Sequence, residues 1–192
     1  MALHTELWFP SVVWSGIVHK IDNSELTRFA YSKKQQDTGV VISNYGGWQS
    51  NSIRAGENDA LDKLVDYLNK EISDCSMQVG LSRLELYNIW ININPPGSYN
   101  HLHNHLDSVL SGVYYVRAED GQGNIQFERN DGAEYHLPEK VAKLTYFNAT
   151  RTTYKAKTNA LYIFPGWLKH SVQGNASTED RISISFNYGE KK

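Results

Sequence analysis

The second half of the chain is a succession of short strand-like segments separated by turn residues. From residue 81 onward, apolar and polar side chains alternate in several runs. Together with an opening strand at about 7–18, we predict strands at about 84–93, 109–117, 123–128, 142–156, 159–164, 168–173 and 181–188. Glycine, asparagine and aspartate lie between several of them. About eight strands with short turns favour a double-stranded β-helix, the jelly roll, as the core of the fold.

Two helices are predicted ahead of these strands. Side-chain oxygens at residues 22–24 can cap a short helix that runs to about Gln36. A longer helix begins at Asn58 or Asp59, and its apolar residues recur at the spacing of one helix face. These residues are Leu61, Leu64, Val65, Leu68 and Ile72. We expect this face to pack against the sheet, which makes the fold mainly β with flanking helices, an α+β arrangement.

Length and composition are those of one folded domain. A chain of 192 residues can bury a substantial core, so we predict one domain over 1–192, with helical support at about 22–76 and a jelly-roll core at about 81–188. A formal net charge of −2 disfavours nucleic acid and anionic membranes as partners. The one cysteine excludes internal disulfides and fits a reducing compartment, so we expect a cytoplasmic protein. We see no signal peptide and no membrane-spanning stretch.

Three histidines and an aspartate occupy every second position between residues 101 and 107. They are His101, His103, His105 and Asp107, and in an extended strand all four side chains would project from one face. A row of imidazoles that ends in a carboxylate suits a divalent metal better than an apolar core. His105 and Asp107 would supply two of the three ligands of a 2-His-1-carboxylate iron site. His103 is the alternative to His105 as the first ligand.

A third ligand and a cation follow downstream. His170 lies at the end of the run 164–170, and Arg181 opens the strand-like run 181–187. Ser183 lies two residues after Arg181 and therefore on the same strand face. The ordered set predicts a metal site formed by His105, Asp107 and His170, with Arg181 in the same cavity.

This order of residues, together with four further segments, resembles a known family. His-x-Asp, a distal His and then Arg-x-Ser are similar to the 2-oxoglutarate/Fe(II)-dependent oxygenases, and more narrowly to a family of such enzymes in bacteria and phages. The segments are 7–14, 46–50, 110–116 and 164–170, so the resemblance covers nearly the whole chain. The family pattern resembles His-x-His-Pro where this chain has His103, His105 and Leu106, and Asp107 is therefore a departure.

The resemblance implies Fe(II), with 2-oxoglutarate and O₂ as co-substrates, and hydroxylation of a substrate with succinate and CO₂ as co-products. Arg181 would bind the distal carboxylate of 2-oxoglutarate through its two parallel donors, and Ser183 would add a hydroxyl. Either Tyr114 or Tyr115 would reach the same carboxylate, since alternation allows only one to face the cavity. Asn187 could also point inward. The substrate, a protein side chain, a small metabolite or a modified nucleobase, stays open, as does a homodimer.

Two other functions fit parts of the pattern. A cupin-like metalloenzyme without 2-oxoglutarate would keep the metal ligands and have no need of Arg181. A non-enzymatic jelly-roll binding module would use the histidine row as a polar cluster. The glycines of segment 46–48 would give it the backbone flexibility that a lid needs. We further predict that Trp48 forms a lid over the cavity, beside Tyr99 and Trp167. The alternative for Trp48 is packing within its own loop.

Overall fold

The computed structural model describes residues 3–138 and 140–190, apart from the side chain of Glu134. The elements in chain order are β1 Trp14–Ile17, α1 Asn23–Gln36, β2 Asn44–Tyr45, β3 Trp48–Gln49, α2 Asp59–Gln78, β4 Glu85–Asn94, β5 Tyr99–His103, β6 Leu110–Arg117, β7 Ile125–Glu128, a 3₁₀ turn Ala133–Tyr135, β8 Arg151–Tyr154, β9 Ala160–Pro165, β10 His170–Val172 and β11 Arg181–Gly189. The prediction of a mainly β fold with two flanking helices is confirmed.

Two antiparallel sheets form the body of the fold. The larger sheet has the order β1-β9-β6-β11-β4-β3 and the smaller has the order β2-β5-β10-β7-β8. Apolar residues of both sheets pack in one cluster, for example Tyr115 and Phe164 of the larger sheet with Ile125 and Phe127 of the smaller. The inner faces of the two sheets therefore enclose the space in which the site lies.

The central strands β4 and β11 have one apolar face and one polar face. On the apolar face, Ile89, Ile91 and Ile93 of β4 belong to the same core cluster as the buried stripe of α2. The opposite face carries polar cross-strand pairs. The register pairs Asn94 with Arg181, Asn92 with Ser183, Trp90 with Ser185 and Asn88 with Asn187. Since side chains alternate along a strand, the helices cover one face and leave the polar face for the cavity.

Side-chain caps begin both helices close to the predicted positions. The Asp22 carboxylate accepts from the backbone N–H of Glu25 at 3.0 Å, and Asn58 Oδ1 accepts from the N–H groups of Ala60 and Leu61 at 3.0 and 3.1 Å. Each bond satisfies a helix N–H that has no partner within the helix. Across the described residues, neither helix is both long and apolar enough to cross a bilayer.

Two strand predictions are too long. The opening strand covers only Trp14–Ile17, and the run expected at 142–156 contains only β8, Arg151–Tyr154. In the second case Asn148 explains the difference: its Oδ1 accepts from the N–H of Thr145 at 2.8 Å, and its Nδ2 donates to the carbonyl of Lys143 at 3.0 Å. Side-chain bonds of this kind offer the backbone an alternative to a sheet ladder.

Candidate metal centre

Three histidines from two adjacent strands converge on one point. His103 ends β5, His105 follows it by two residues, and His170 begins β10. One ring nitrogen from each of them lies within 4.8 Å of the other two. The ring centroids are 4.3 Å apart for His103 and His170, 5.0 Å for His105 and His170, and 5.2 Å for His103 and His105. This spacing is that of three ligands around one ion.

Each imidazole is held in the same tautomer by a hydrogen bond from its Nδ1. His103 Nδ1 donates to the carbonyl of His101 at 2.7 Å, and His170 Nδ1 donates to the carbonyl of Leu168 at 2.9 Å. His105 Nδ1 donates to Asn187 Oδ1 at 2.6 Å. Because these oxygens can only accept, each Nδ1 carries the hydrogen and each Nε2 keeps its lone pair. Such bonds fix the orientation of metal-binding histidines.

Burial keeps all three imidazoles neutral. It lowers the pKa of His105 to about 4, with the nearby His103 as the next cause. Burial also lowers the pKa of His103 and takes that of His170 well below its usual value. A neutral imidazole is the form that binds a metal. Three uncharged donors are therefore available at neutral pH.

Asp107, predicted as a ligand, does not lie in this cluster. The group formed by the described residues consists of His103, His105 and His170, and Asp107 is exposed in a turn. His103, expected as an alternative to His105, lies beside it as a third member.

The position of Asp107 follows from the early end of β5, and a β-bulge explains why His101 also lies outside the cluster. His170 pairs with His103 and Val172 pairs with Asn100, so that three steps on β5 match two on β10. The extra residue interrupts the alternation, which leaves Asn100 and His103 facing the cavity while His101 is exposed and packs edge-on against Tyr99. The strand then ends at His103. His105 therefore reaches the cluster from a turn.

Gly166 makes room for that turn. The N–H of His105 donates to the carbonyl of Gly166 at 2.7 Å. A Cβ at position 166 would lie 2.3 Å from the carbonyl oxygen of Ser108 and 2.6 Å from that of His105. Both are backbone atoms and cannot rotate away, so any larger residue would displace His105.

Asn187, predicted to point inward near the co-substrate, contacts the metal cluster. Besides His105, its Oδ1 accepts from the hydroxyl of Ser111 at 2.7 Å. Ser111 Oγ lies 3.0 Å from His105 Nδ1 and 2.8 Å from the hydroxyl of Ser108. The side chain thus orients His105. Neither serine was predicted from the sequence, because isolated serines carry no pattern that links them to a distant histidine.

The cluster opens onto a cavity between the two sheets. Arg181, Ser183 and Tyr115 line this cavity, as predicted for one of the two tyrosines. Tyr114 lies on the opposite face of β6, where its hydroxyl donates to Asn23 Oδ1 at 2.8 Å and also lies 3.1 Å from Asn159 Oδ1. Alternation along β6 therefore selects Tyr115.

Of the other aromatic residues expected around the cavity, none lines it. Trp48 is buried in the core, where its Nε1 donates to the carbonyl of Asp37 at 3.0 Å; it packs within its own region and is not a lid. Tyr99 stacks on Tyr45 with ring centroids 4.9 Å apart, and Trp167 is partly exposed. The aromatic residue that lines the cavity near His105 is Trp90, which sequence patterning assigned only to a strand.

Arg181 is buried, and the Nε and Nη2 edge of its guanidinium group makes no hydrogen bond to a described residue. Only 1% of its surface is exposed. Its hydrogen bonds to described residues all come from Nη1, which donates to the carbonyls of Gln122, Gly123 at 3.1 Å and Gln173 at 3.4 Å. It forms no ion pair with any described carboxylate. Burying an unpaired charge is costly, so the Nε and Nη2 edge is suited to an anionic ligand.

The residues around Arg181 also suit an anionic ligand at its Nε and Nη2 edge. Gly123 has a φ of +86°, and a Cβ there would lie 2.7 Å from Arg181 Nη1 and 2.1 Å from the carbonyl of Gln173. Only glycine permits this approach. Burial raises the pKa of Tyr115 to about 12, although Arg181 acts in the opposite direction. The Tyr115 hydroxyl therefore stays protonated and can donate, and it makes no hydrogen bond to a described residue.

Comparisons with known proteins agree with this geometry. The family model described as 2OG-Fe(II) oxygenase matches residues 88–187, which include the three histidines, Arg181 and Asn187. A comparison with curated protein sequences finds no match.

Solved structures share the fold over most of the chain. A prolyl-4-hydroxylase from Pseudomonas putida has a TM-score of 0.65 at 13% identity, covering 95% of this chain and 94% of that one. A prolyl hydroxylase from Trichoplax adhaerens, in complex with a peptide fragment of hypoxia inducible factor, has a TM-score of 0.66 at 14% identity, covering 91% and 83%. The α-ketoglutarate-dependent epimerase SnoN of nogalamycin biosynthesis has a TM-score of 0.70 at 14% identity, covering 94% and 78%. These likenesses confirm the double-stranded β-helix.

Proposed function

Because the chain belongs to the 2OG-Fe(II) oxygenase family, we propose that it hydroxylates an organic or protein substrate with His103, His105 and His170 as the iron ligands. When bound, iron and 2-oxoglutarate supply the oxidative chemistry, which consumes O₂ and releases succinate and CO₂. The observation that carries the proposal is the presence, in one cavity, of three convergent neutral imidazoles and a buried guanidinium without a carboxylate partner.

The residues present fit a divalent metal. Imidazole nitrogen is a good ligand for iron, and the three Nε2 lone pairs leave the remaining coordination positions to ligands that enter from the cavity. Among the described residues that line the cavity there is no aspartate or glutamate. The ligand set therefore contributes no negative charge, and the cavity favours an anionic co-substrate.

The residues present also fit 2-oxoglutarate, a dicarboxylate. Arg181 offers its Nε and Nη2 edge to the carboxylate remote from the metal, in the two-bond geometry that a guanidinium provides. Tyr115 and Ser183 are cross-strand partners on β6 and β11, and each can donate a hydroxyl hydrogen to the same carboxylate. In this arrangement the protein orients the co-substrate and the metal supplies the reaction centre.

Apolar side chains separate these polar groups from solvent. Val113, Ile125, Phe164 and Val172 line the cavity between the histidines and Arg181. Phe164 packs on His170 with ring centroids 4.7 Å apart. The low dielectric of this apolar lining strengthens the attraction between Arg181 and a carboxylate.

The test compares Arg181→Lys with the wild type in anaerobic titrations with Mn(II) and 2-oxoglutarate. The lysine keeps the charge and loses the two-bond geometry, so we expect affinity for 2-oxoglutarate to fall about 10- to 100-fold. Mn(II) affinity should change little, because Arg181 is not a ligand. Unchanged affinity for 2-oxoglutarate would instead favour a metalloenzyme that does not use it.

A second pair of variants tests the ligand set. His103→Ala should abolish tight Mn(II) binding, whereas Asp107→Ala should bind Mn(II) as the wild type does. The opposite result would restore Asp107 to the site and refute the three-histidine arrangement.

A further inference from the structure

Two carboxamides in the cavity have no hydrogen-bond partner among the described residues. Gln49 on β3 is 7% exposed and Asn94 at the end of β4 is 2% exposed, and both line the cavity. Neither side chain is hydrogen-bonded to any described residue. The neighbouring Asn44 differs: its Oδ1 accepts from the N–H of Ile42 at 2.9 Å, and its Nδ2 donates to the carbonyls of Val40 at 3.2 Å and Gly47 at 3.0 Å. Buried amides are normally satisfied, so the first two require a ligand.

The sheet register places these two amides together. Gln49 pairs with Asn92, and Asn94 lies two residues farther along the same face of β4. Diagonal neighbours of this kind lie roughly 7–8 Å apart at the backbone, within reach of one bound group. Gly47 leaves space for them, because a Cβ there would lie 2.6 Å from Asn94 Nδ2.

Gln49 lies apart from the groups proposed to hold the co-substrate, and Asn94 lies beside them with its amide nitrogen turned away. Strand β3 is separated from β11 by β4, which places Gln49 about 10 Å from Ser183 at a strand spacing of roughly 4.8 Å. Asn94 pairs with Arg181, but its amide nitrogen points towards Gly47 on the β3 side. The cavity thus has a cationic end at β11 and β6 and an uncharged polar end at β3 and β4.

The chemistry of the uncharged end selects its ligand. A carboxamide offers two N–H donors and one acceptor oxygen in one plane, and both amides have these groups available. No charged residue other than Arg181 and no acidic residue lines the cavity among the described residues. The complementary group is uncharged and carries a donor next to an acceptor, which describes an amide. Trp90 lies beside it, with its ring centroid 5.7 Å from that of the ligand His105, and provides a flat apolar wall towards the metal.

We propose that Gln49 and Asn94 bind an uncharged amide group of the primary substrate, with Trp90 between that group and the metal ligand His105. The inference rests on the proposed function for the reaction at that metal. The recognition itself rests only on the two unpaired amides.

The first experiment needs no substrate. If the two amides bind a ligand and do not stabilise the fold, Gln49→Met and Asn94→Leu should leave the melting temperature of the ligand-free protein unchanged or raise it. Each substitution replaces unpaired polar atoms with an apolar group of similar size. Asn44→Leu is the control and should lower the melting temperature by at least about 4 °C, because three hydrogen bonds are lost. A fall in both test variants as large as that in the control would show a structural role and overturn the proposal.

The second experiment identifies the ligand chemistry with the protein loaded with Mn(II) and 2-oxoglutarate without oxygen. The probes are N-acetylated amino acid amides, the corresponding free amino acids, esters that lack the amide N–H, and nucleosides, each at millimolar concentration. We expect only the blocked amides to bind, and Gln49→Met to weaken them roughly 3- to 10-fold per lost bond. Tighter binding of free amino acids, esters or nucleosides, or no binding of the blocked amides, would overturn the assignment.

The two proposals fail separately in this design. If the wild-type protein does not bind 2-oxoglutarate, the proposed function fails, while the melting temperatures still report on the two amides. If 2-oxoglutarate binds in the wild type and in Gln49→Met with equal affinity but the blocked amides do not bind, only the substrate inference fails.

Discussion

Replacing Asn187 with leucine should weaken metal binding without a direct change to any ligand. Asn187 Oδ1 accepts from His105 Nδ1 at 2.6 Å and from Ser111 at 2.7 Å. The leucine keeps the approximate volume and removes the acceptor, so His105 loses the bond that holds its tautomer and orientation. Loss of such an outer partner typically costs about 10- to 100-fold in metal affinity.

The position of Ser111 sets the expected size within that range. Its Oγ is 3.0 Å from His105 Nδ1 and can take over as acceptor in the single variant. We therefore expect about a 10-fold loss for Asn187→Leu and about a 100-fold loss when Ser111→Ala is added, at the two ends of the same range. Ser111→Ala alone should have little effect. A coupling of this kind is the signature of two groups that serve one partner.

Titration of the metal-free protein with Co(II), with calorimetric and absorbance detection, measures these affinities. Asn88→Leu is the matched control, because Asn88 pairs with Asn187 across the strands and its Oδ1 is buried without a partner. That variant should keep both its Co(II) affinity and its melting temperature. A double variant Asn187→Leu/Ser111→Ala that melts like the wild type and binds Co(II) equally tightly would refute the positioning role.

Two further predictions concern the co-substrate end of the cavity. Gly123→Ala should lower both the melting temperature and the affinity for 2-oxoglutarate, because its Cβ would lie 2.1 Å from the carbonyl of Gln173 and 2.7 Å from Arg181 Nη1. Calorimetry measures the melting temperature and the affinity. An unchanged affinity would contradict the placement of Arg181. Tyr115→Phe should weaken 2-oxoglutarate about 3- to 10-fold with little loss of stability. Tyr114→Phe should leave the affinity for 2-oxoglutarate unchanged and lower the melting temperature by about 2–4 °C, since the Tyr114 hydroxyl contacts Asn23 and Asn159. Equal effects of the two tyrosines on 2-oxoglutarate affinity would contradict the orientation of β6.

Local patterns determined the elements whose signals are periodic. The stripe from Leu61 to Ile72 predicted the long helix, and alternation predicted β4, β6 and β11, because burial on one face imposes a period of 3.6 or 2 on the sequence. The same alternation placed Arg181 and Ser183 on one face. The strands β2 and β3, with two residues each, are too short to show any period, and only their pairing partners define them.

The composition of the metal centre depended on the tertiary structure. The sequence by itself determined that a histidine-rich segment, a distal His170 and Arg181 belong to one site, because the spacing of residue types along each strand carries that information. It did not determine which of His103, His105 and Asp107 lie in the cluster, since β5 ends at His103 and a turn held against Gly166 carries His105, so that strand alternation does not extend to Asp107. The partners Asn187, Gln49 and Asn94 come from strands far apart in the sequence, and only the register of the assembled sheets brings them to the cavity.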